Sequence, residues 1–153
     1  MKRIVILFAA ALALLCSCEK PDTVIDEQSP EYSGRMTVIY ENKPFDQDNV
    51  RVLVEFNEDK TAVDIQLCKV KFVPAMPVRI AVTIMEVPVT ETEEGAWGFY
   101  GDGITPWAMG GPYDGFRADE FRGTITDDSL EFSLGFYNTK KKVNYPTTYS
   151  GRL

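Results

Sequence analysis

The sequence predicts an all-β domain, an eight-stranded antiparallel up-and-down barrel, and three observations predict it. Short segments alternate apolar and polar residues with period two, and turn-forming residues separate them. No stretch carries a helical period of 3.6 residues, and many short strands with tight connections indicate a sandwich or a barrel. The third observation favours the barrel. The segment Tyr32-Ser33-Gly34-Arg35 recurs at the end of the chain as Tyr149-Ser150-Gly151-Arg152. In a closed meander the first and last strands pair, and glycine permits the coiling that closure needs.

Gly34 to Glu41 is the first expected strand. Val50 to Asn57 follows, with Val50, Val52, Val54 and Phe56 on one face and Arg51 and Glu55 on the other. Asn57 to Lys60 reads as a turn. Thr61 to Phe72 places Val63, Ile65 and Leu67 on one face. Val73-Pro74-Ala75-Met76-Pro77 breaks the chain, because proline cannot donate to a ladder. Val78 to Thr90 is a long strand apolar on both faces, and Ala96 to Tyr100 is a short aromatic one. Gly101 to Gly115 is loose and rich in glycine and proline. Phe121 to Thr126 and Leu130 to Tyr137 form a hairpin about Asp127-Asp128. Thr139 to Pro146 reads as a basic loop, and Thr148 to Leu153 closes the set.

The first thirty residues read differently. Lys2 and Arg3 precede an apolar run from Ile4 to Leu15, well short of the roughly 20 residues that a spanning helix needs. Leu15-Cys16-Ser17-Cys18 follows. Charge, a short apolar core and a small-residue cleavage site make a secretory signal. The final four residues resemble a bacterial lipobox, so residues 1–17 are expected to be removed and Cys18 to carry lipid. Each buried methylene contributes about 0.8 kcal/mol, so several acyl chains hold a protein stably. Residues 18–31 are polar and acidic, with two prolines, and read as a flexible tether. Acidic residues just after the lipidated cysteine resemble surface-export signals of Bacteroidetes lipoproteins. Residues 32–153 form the domain. The expected location is the cell envelope, at the outer membrane, with the leaflet left open.

Composition removes several functions. Losing Lys2 and Arg3 takes the net charge from −7 to −9, a poor match for nucleic acid. Histidine is absent. Ser-His-Asp and Cys-His catalysis and His-containing zinc sites go with it. Once Cys16 leaves and Cys18 is lipidated, Cys68 has no partner for a disulfide. No enzyme activity, metal or cofactor is expected.

The lipobox at Cys18, the opening Tyr32-Ser33-Gly34, the segment Phe121-Arg122-Gly123-Thr124-Ile125 with its Asp127-Asp128 turn, and the closing Tyr149-Ser150-Gly151 together resemble the calycin-like domain of Bacteroidetes lipoproteins. The resemblance covers about Tyr32 to Leu153. It implies a lipocalin-style barrel and no catalytic residues.

The candidate ligand site is the aromatic segment Trp97, Phe99, Tyr100, Trp107, Tyr113 and Phe116. Long loops are often functional, and exposed aromatics stack on sugars or close over apolar ligands. The plainer reading is a loop that plugs one barrel end with its own aromatics. The lumen of an eight-stranded barrel is either filled or holds one small ligand; Phe56, Phe132 and Phe136 argue for filling. Asp46-Gln47-Asp48-Asn49 lacks the glycine and distal glutamate of a calcium loop and reads as a turn. Glu91, Glu93 and Glu94 read as a solvated turn, and Lys140 to Lys142 as an exposed hairpin tip or a dock for an acidic partner or polyanionic glycan. The expectation is a membrane-anchored, non-enzymatic binding barrel for a small apolar ligand or a glycan. The alternative is a protein-interaction module, an inhibitor or envelope-assembly part, with a filled barrel.

Overall fold

The computed structural model describes residues 25–26 and 28–153. The leader, Cys18 and the first part of the tether lie outside the described residues. The described chain forms ten strands and no helix: β1 (Glu31–Tyr40), β2 (Lys43–Phe56), β3 (Ala62–Val70), β4 (Ile80–Glu93), β5 (Ala96–Gly101), β6 (Trp107–Ala108), β7 (Gly111–Pro112), β8 (Phe116–Ile125), β9 (Ser129–Asn138) and β10 (Val143–Arg152). Eight of them close into the expected antiparallel barrel, in the cyclic order β1, β2, β3, β4, β5, β8, β9, β10 and back to β1.

Period-two alternation decides what faces inward. Along β9, Leu130, Phe132, Leu134 and Phe136 are buried and Glu131 between them is exposed. Along β10, Tyr145, Thr147, Tyr149 and Gly151 are buried, and Asn144, Pro146, Thr148 and Ser150 are exposed. The seam forms as the terminal repeats suggest. Gly34 faces Gly151, flanked by Ser33–Arg152 and Arg35–Ser150 pairs. A Cβ on Gly34 would collide with the Ser150 carbonyl oxygen and the Gly151 Cα, so this crossing requires glycine.

Three strand starts differ most from the sequence expectation. First, β2 starts at Lys43. Glu41 and Asn42 both take positive φ, 50° and 63°, which makes a two-residue hairpin turn with the twist that strands need. The stretch Asp46 to Asn49 is therefore strand and neither turn nor calcium loop. Asp46 and Asp48 face solvent and pair across to β1, Thr37 Oγ1 donating to Asp46 at 2.6 Å and Arg35 Nε to Asp48 at 2.7 Å, while Gln47 between them is buried. Asn49, at φ 57°, forms a bulge that breaks the alternation. Second, β8 starts at Phe116. Third, β10 starts at Val143 and includes Pro146, which faces solvent. The β1–β10 ladder stops one residue short of Pro146, at Val38–Thr147, because proline has no N–H to extend it.

The segment from Asp102 to Gly115 patches the barrel wall. β5 is short and pairs only with the last part of β4, from Val89 to Glu93. Beyond it, Trp107 pairs with Thr83 of β4. Ile104 exchanges two backbone hydrogen bonds with Ala118 of β8, at 3.0 and 2.7 Å. A small hairpin thus fills the gap that β5 leaves between β4 and β8.

The two rims differ. One, the loop rim, carries the 41–42 turn, loop 71–79, the 102–115 segment and the 139–142 turn. The other, the turn rim, carries the 57–61, 94–95 and 126–128 turns and the C-terminus.

Candidate functional site

The lumen is filled with aromatic rings. Towards the loop rim, Phe72 lies 4.3 Å from Phe136 and 4.4 Å from Phe116, ring centre to ring centre. Deeper, Phe121 touches Phe99 at 5.0 Å and Phe132 at 5.2 Å, and Phe132 stacks on Tyr149 at 4.9 Å. Phe56 meets Trp97 edge to face at 5.3 Å near the turn rim. These are contact distances, and a ligand between such rings would have to displace one of them. Two of the buried tyrosines bond internally: Tyr149 donates to the Val50 carbonyl and Tyr32 to the Thr126 carbonyl, both at 3.0 Å. Burial pushes both phenols above their ordinary range, most strongly Tyr149.

Phe72 is the residue that sequence reading missed. It lies in the β3–β4 connection and is fully buried. Gln47, itself buried, holds that loop in place. Its amide donates to the Lys71 carbonyl at 2.8 Å. Its oxygen accepts from the Lys71 N–H at 2.9 Å and from Arg79 at 2.8 Å. The plug at the loop rim therefore comes from a different loop from the one the aromatic content suggested.

The six aromatic candidates do not converge. Trp97 and Phe99 face the lumen from β5, and Lys60 sits 5.7 Å over the Trp97 ring at the turn rim. Tyr100 points outward and is 49 % exposed. Trp107 is half-buried in the wall patch. Tyr113 stacks on Phe116 at 5.8 Å by the loop rim. Trp97 meets the ring of Phe56, Phe99 that of Phe121, and Tyr113 that of Phe116, in three separate places.

Two open depressions mark the outer wall. One, of about 690 Å³, is lined by Pro88, Thr90, Thr92, Gly98, Tyr100 and Arg122; the Arg122 guanidinium lies 5.4 Å over the Tyr100 ring. The other, of about 460 Å³, runs past Gly135 between Arg122 and Asn144.

The remaining candidates carry little chemistry. No group of three or more acidic or cysteine side chains could hold a metal among the described residues. Burial pushes the Cys68 thiol up, which suppresses the thiolate needed for nucleophilic attack. Lys140 to Lys142 sit on an exposed turn whose Lys140 and Lys141 N–H groups are both accepted by Asn138 Oδ1, at 3.1 and 2.9 Å.

A barrel that crosses a membrane turns its apolar side chains outward and its polar ones inward. Here the polarity is the reverse. Arg51 and Glu55 on β2, Glu120 and Arg122 on β8, Glu131 on β9 and the alternate residues of β10 face solvent. The described wall carries no apolar outer band.

The chain matches no family model. No curated protein matches it in sequence. Among solved structures it is similar to a Bacteroides fragilis protein described as a "putative outer membrane protein", with a TM-score of 0.62 at 15% identity. That similarity covers 82% of this chain and 51% of the other, so this chain spans about half the length of its neighbour. Likeness at this identity establishes the fold.

Proposed function

We propose that this chain is a lipid-anchored, non-enzymatic protein of the bacterial cell envelope that acts through its outer surface, as an interaction module with a filled barrel. The observation that carries the reading is the ring packing through the lumen, from Phe72 and Phe136 at one end to Phe56 and Trp97 at the other. It disfavours a small apolar ligand inside. The leader and the Leu15-Cys16-Ser17-Cys18 segment support lipid attachment at Cys18. The polar outer wall supports it too, since a barrel of this polarity needs an anchor other than its strands. The name of the Bacteroides fragilis neighbour agrees with an envelope location, at the outer membrane. The lack of histidine and the raised Cys68 thiol support a non-catalytic role.

A glycan is the second reading, and the depression beside Tyr100 favours it. A half-exposed phenol ring next to threonine hydroxyls and Arg122 suits a sugar face. The Trp97, Trp107 and Tyr113 rings, spread over both rims and the wall, do not contribute to it.

Native mass spectrometry on protein purified from its own host tests the filled lumen. The expected result is a mass equal to that of the denatured chain with its lipid. A stoichiometric extra mass lost on denaturation would overturn the filled-barrel reading. Metabolic labelling with a fatty acid tests the anchor: Cys18→Ala should abolish label and release the protein from the membrane fraction.

A further inference from the structure

Charge is sorted along the barrel axis. The loop rim and its strand ends carry Lys43, Lys69, Lys71 and Arg79 together with the run Lys140 to Lys142, against Glu41, Asp102 and Asp114. None of these cations is in an ion pair among the described residues; the four pairs there use Arg35, Arg51, Arg117 and Arg122. The turn rim is the opposite. Glu58, Asp59, Glu91, Glu93, Glu94 and the Asp127-Asp128 turn outweigh Lys60 and Arg152. In a chain of net charge −7, a cationic end is the exception that needs a reason.

Most of the large exposed apolar side chains sit at the same rim, with Leu153 at the other. Met109, 74% exposed, projects from a turn in which it and Gly110 both have positive φ. Val78 is 60% exposed in loop 71–79, and Val143 is exposed beside the lysine turn. Unpaired lysines with apolar tips among them match an anionic bilayer surface, where cations meet headgroup phosphates and apolar tips enter the acyl boundary.

We propose that the barrel stands with its loop rim against an anionic phospholipid bilayer, the one that its own lipid enters. This rests on the lipid-anchor reading. The path of the chain permits it. The described chain begins on the side of the barrel, where the Ile25 N–H donates to Gln66 on the outer face of β3 at 3.4 Å and Ile25 is buried. From Gln66 to the end of β3 at Val70 is four residues, about 13 Å at a strand rise of about 3.3 Å. Cys18 lies seven residues before Ile25, and seven residues reach up to about 24 Å when extended. The anchor therefore reaches either rim, and charge selects: an anionic surface attracts the loop rim and repels the turn rim. The acidic turn rim and the outer depressions are then presented away from the bilayer.

The test adds the purified full-length lipoprotein to preformed vesicles of phosphatidylcholine, alone or with phosphatidylglycerol, and acetylates lysines with a membrane-impermeant ester. On phosphatidylglycerol vesicles, Lys140, Lys141 and Lys142 should be labelled several-fold less than Lys60 at the turn rim. On phosphatidylcholine the difference should vanish, and added salt should erase it. The variant K140E/K141E/K142E, altered only on an exposed turn, should lose the protection of Lys43 and Lys69 as well. Equal labelling of Lys140 to Lys142 on both vesicle types would overturn the docking proposal while leaving the anchor intact. Failure to sediment with phosphatidylcholine vesicles would instead overturn the anchor, and this proposal with it.

Discussion

Two walls of this barrel are built in different ways. The wall of β9, β10 and β1 is regular: β9 and β10 pair without interruption from Ser129–Arg152 to Asn138–Val143, and β10 pairs with β1 without a shift. The wall of β3, β4 and β5 is patched. The β3–β4 ladder shifts register twice, the β4–β5 ladder once, and the gap beyond β5 is filled by the β6–β7 hairpin. The regular wall closes the barrel. The patched wall and its loops supply the plug, the docked Ile25 and the exposed tips. Regular pairing fixes a fold, and the departures from it are where side chains are free to be placed for other purposes.

Breaking the regular wall should have the largest effect. Gly34→Val places a side chain against the Ser150 carbonyl and Gly151 at the seam, where backbone on the neighbouring strand leaves it no way to yield. The expected outcome is loss of the cooperative thermal transition, seen by near-UV circular dichroism. A melt within a few degrees of the wild type would mean that the seam is softer than its pairing suggests.

The patched side should respond less, but specifically. Phe72→Ala removes a fully buried ring and should cost about 3–5 kcal/mol in urea denaturation. The fold should survive, because the strands that close the barrel do not include residue 72. The vacated space between Phe116 and Phe136 is apolar and should bind a small aromatic probe such as benzene. A loss below about 1 kcal/mol would show that the loop, and not the ring, seals this rim.

These contrasts explain what could be read in the sequence. The alternation at Val50 to Phe56 and Leu130 to Phe136 is legible because one face of each strand is buried, and a one-residue slip would expose it. The seam was legible from Tyr32-Ser33-Gly34-Arg35 and Tyr149-Ser150-Gly151-Arg152 because both strands must approach closely at glycine. Asp46 to Asn49 was illegible because its outward residues are satisfied by Arg35 and Thr37, and the Asn49 bulge breaks the period. The plug was illegible for another reason. Nothing near Phe72 in sequence announces Gln47, which holds its loop from 24 residues away. The aromatic run from Trp97 to Phe116 drew notice by composition, but a strand alternates its faces, so Phe99 turned in while Tyr100 turned out.

The smallest expected effect returns to the regular wall, at Tyr149. Its hydroxyl donates to the Val50 carbonyl of β2, on the far side of β1, at 3.0 Å. Tyr149→Phe keeps the ring stacked on Phe132 and loses one buried hydrogen bond, about 1 kcal/mol near neutral pH. The pH dependence is more diagnostic than the size. Burial raises the Tyr149 phenol above its ordinary value of 10.0, so the folded state holds its proton more tightly than the unfolded chain. That contribution is fully present below pH 10 and is lost as pH rises from there towards the folded-state value. Wild-type stability should therefore fall through the alkaline range, and the Tyr149→Phe variant should fall less steeply, so that the two curves converge at high pH. Parallel curves would place the alkaline loss elsewhere, with Tyr32, whose phenol is also raised by burial and by the nearby Asp127 and Asp128, as the next residue to replace.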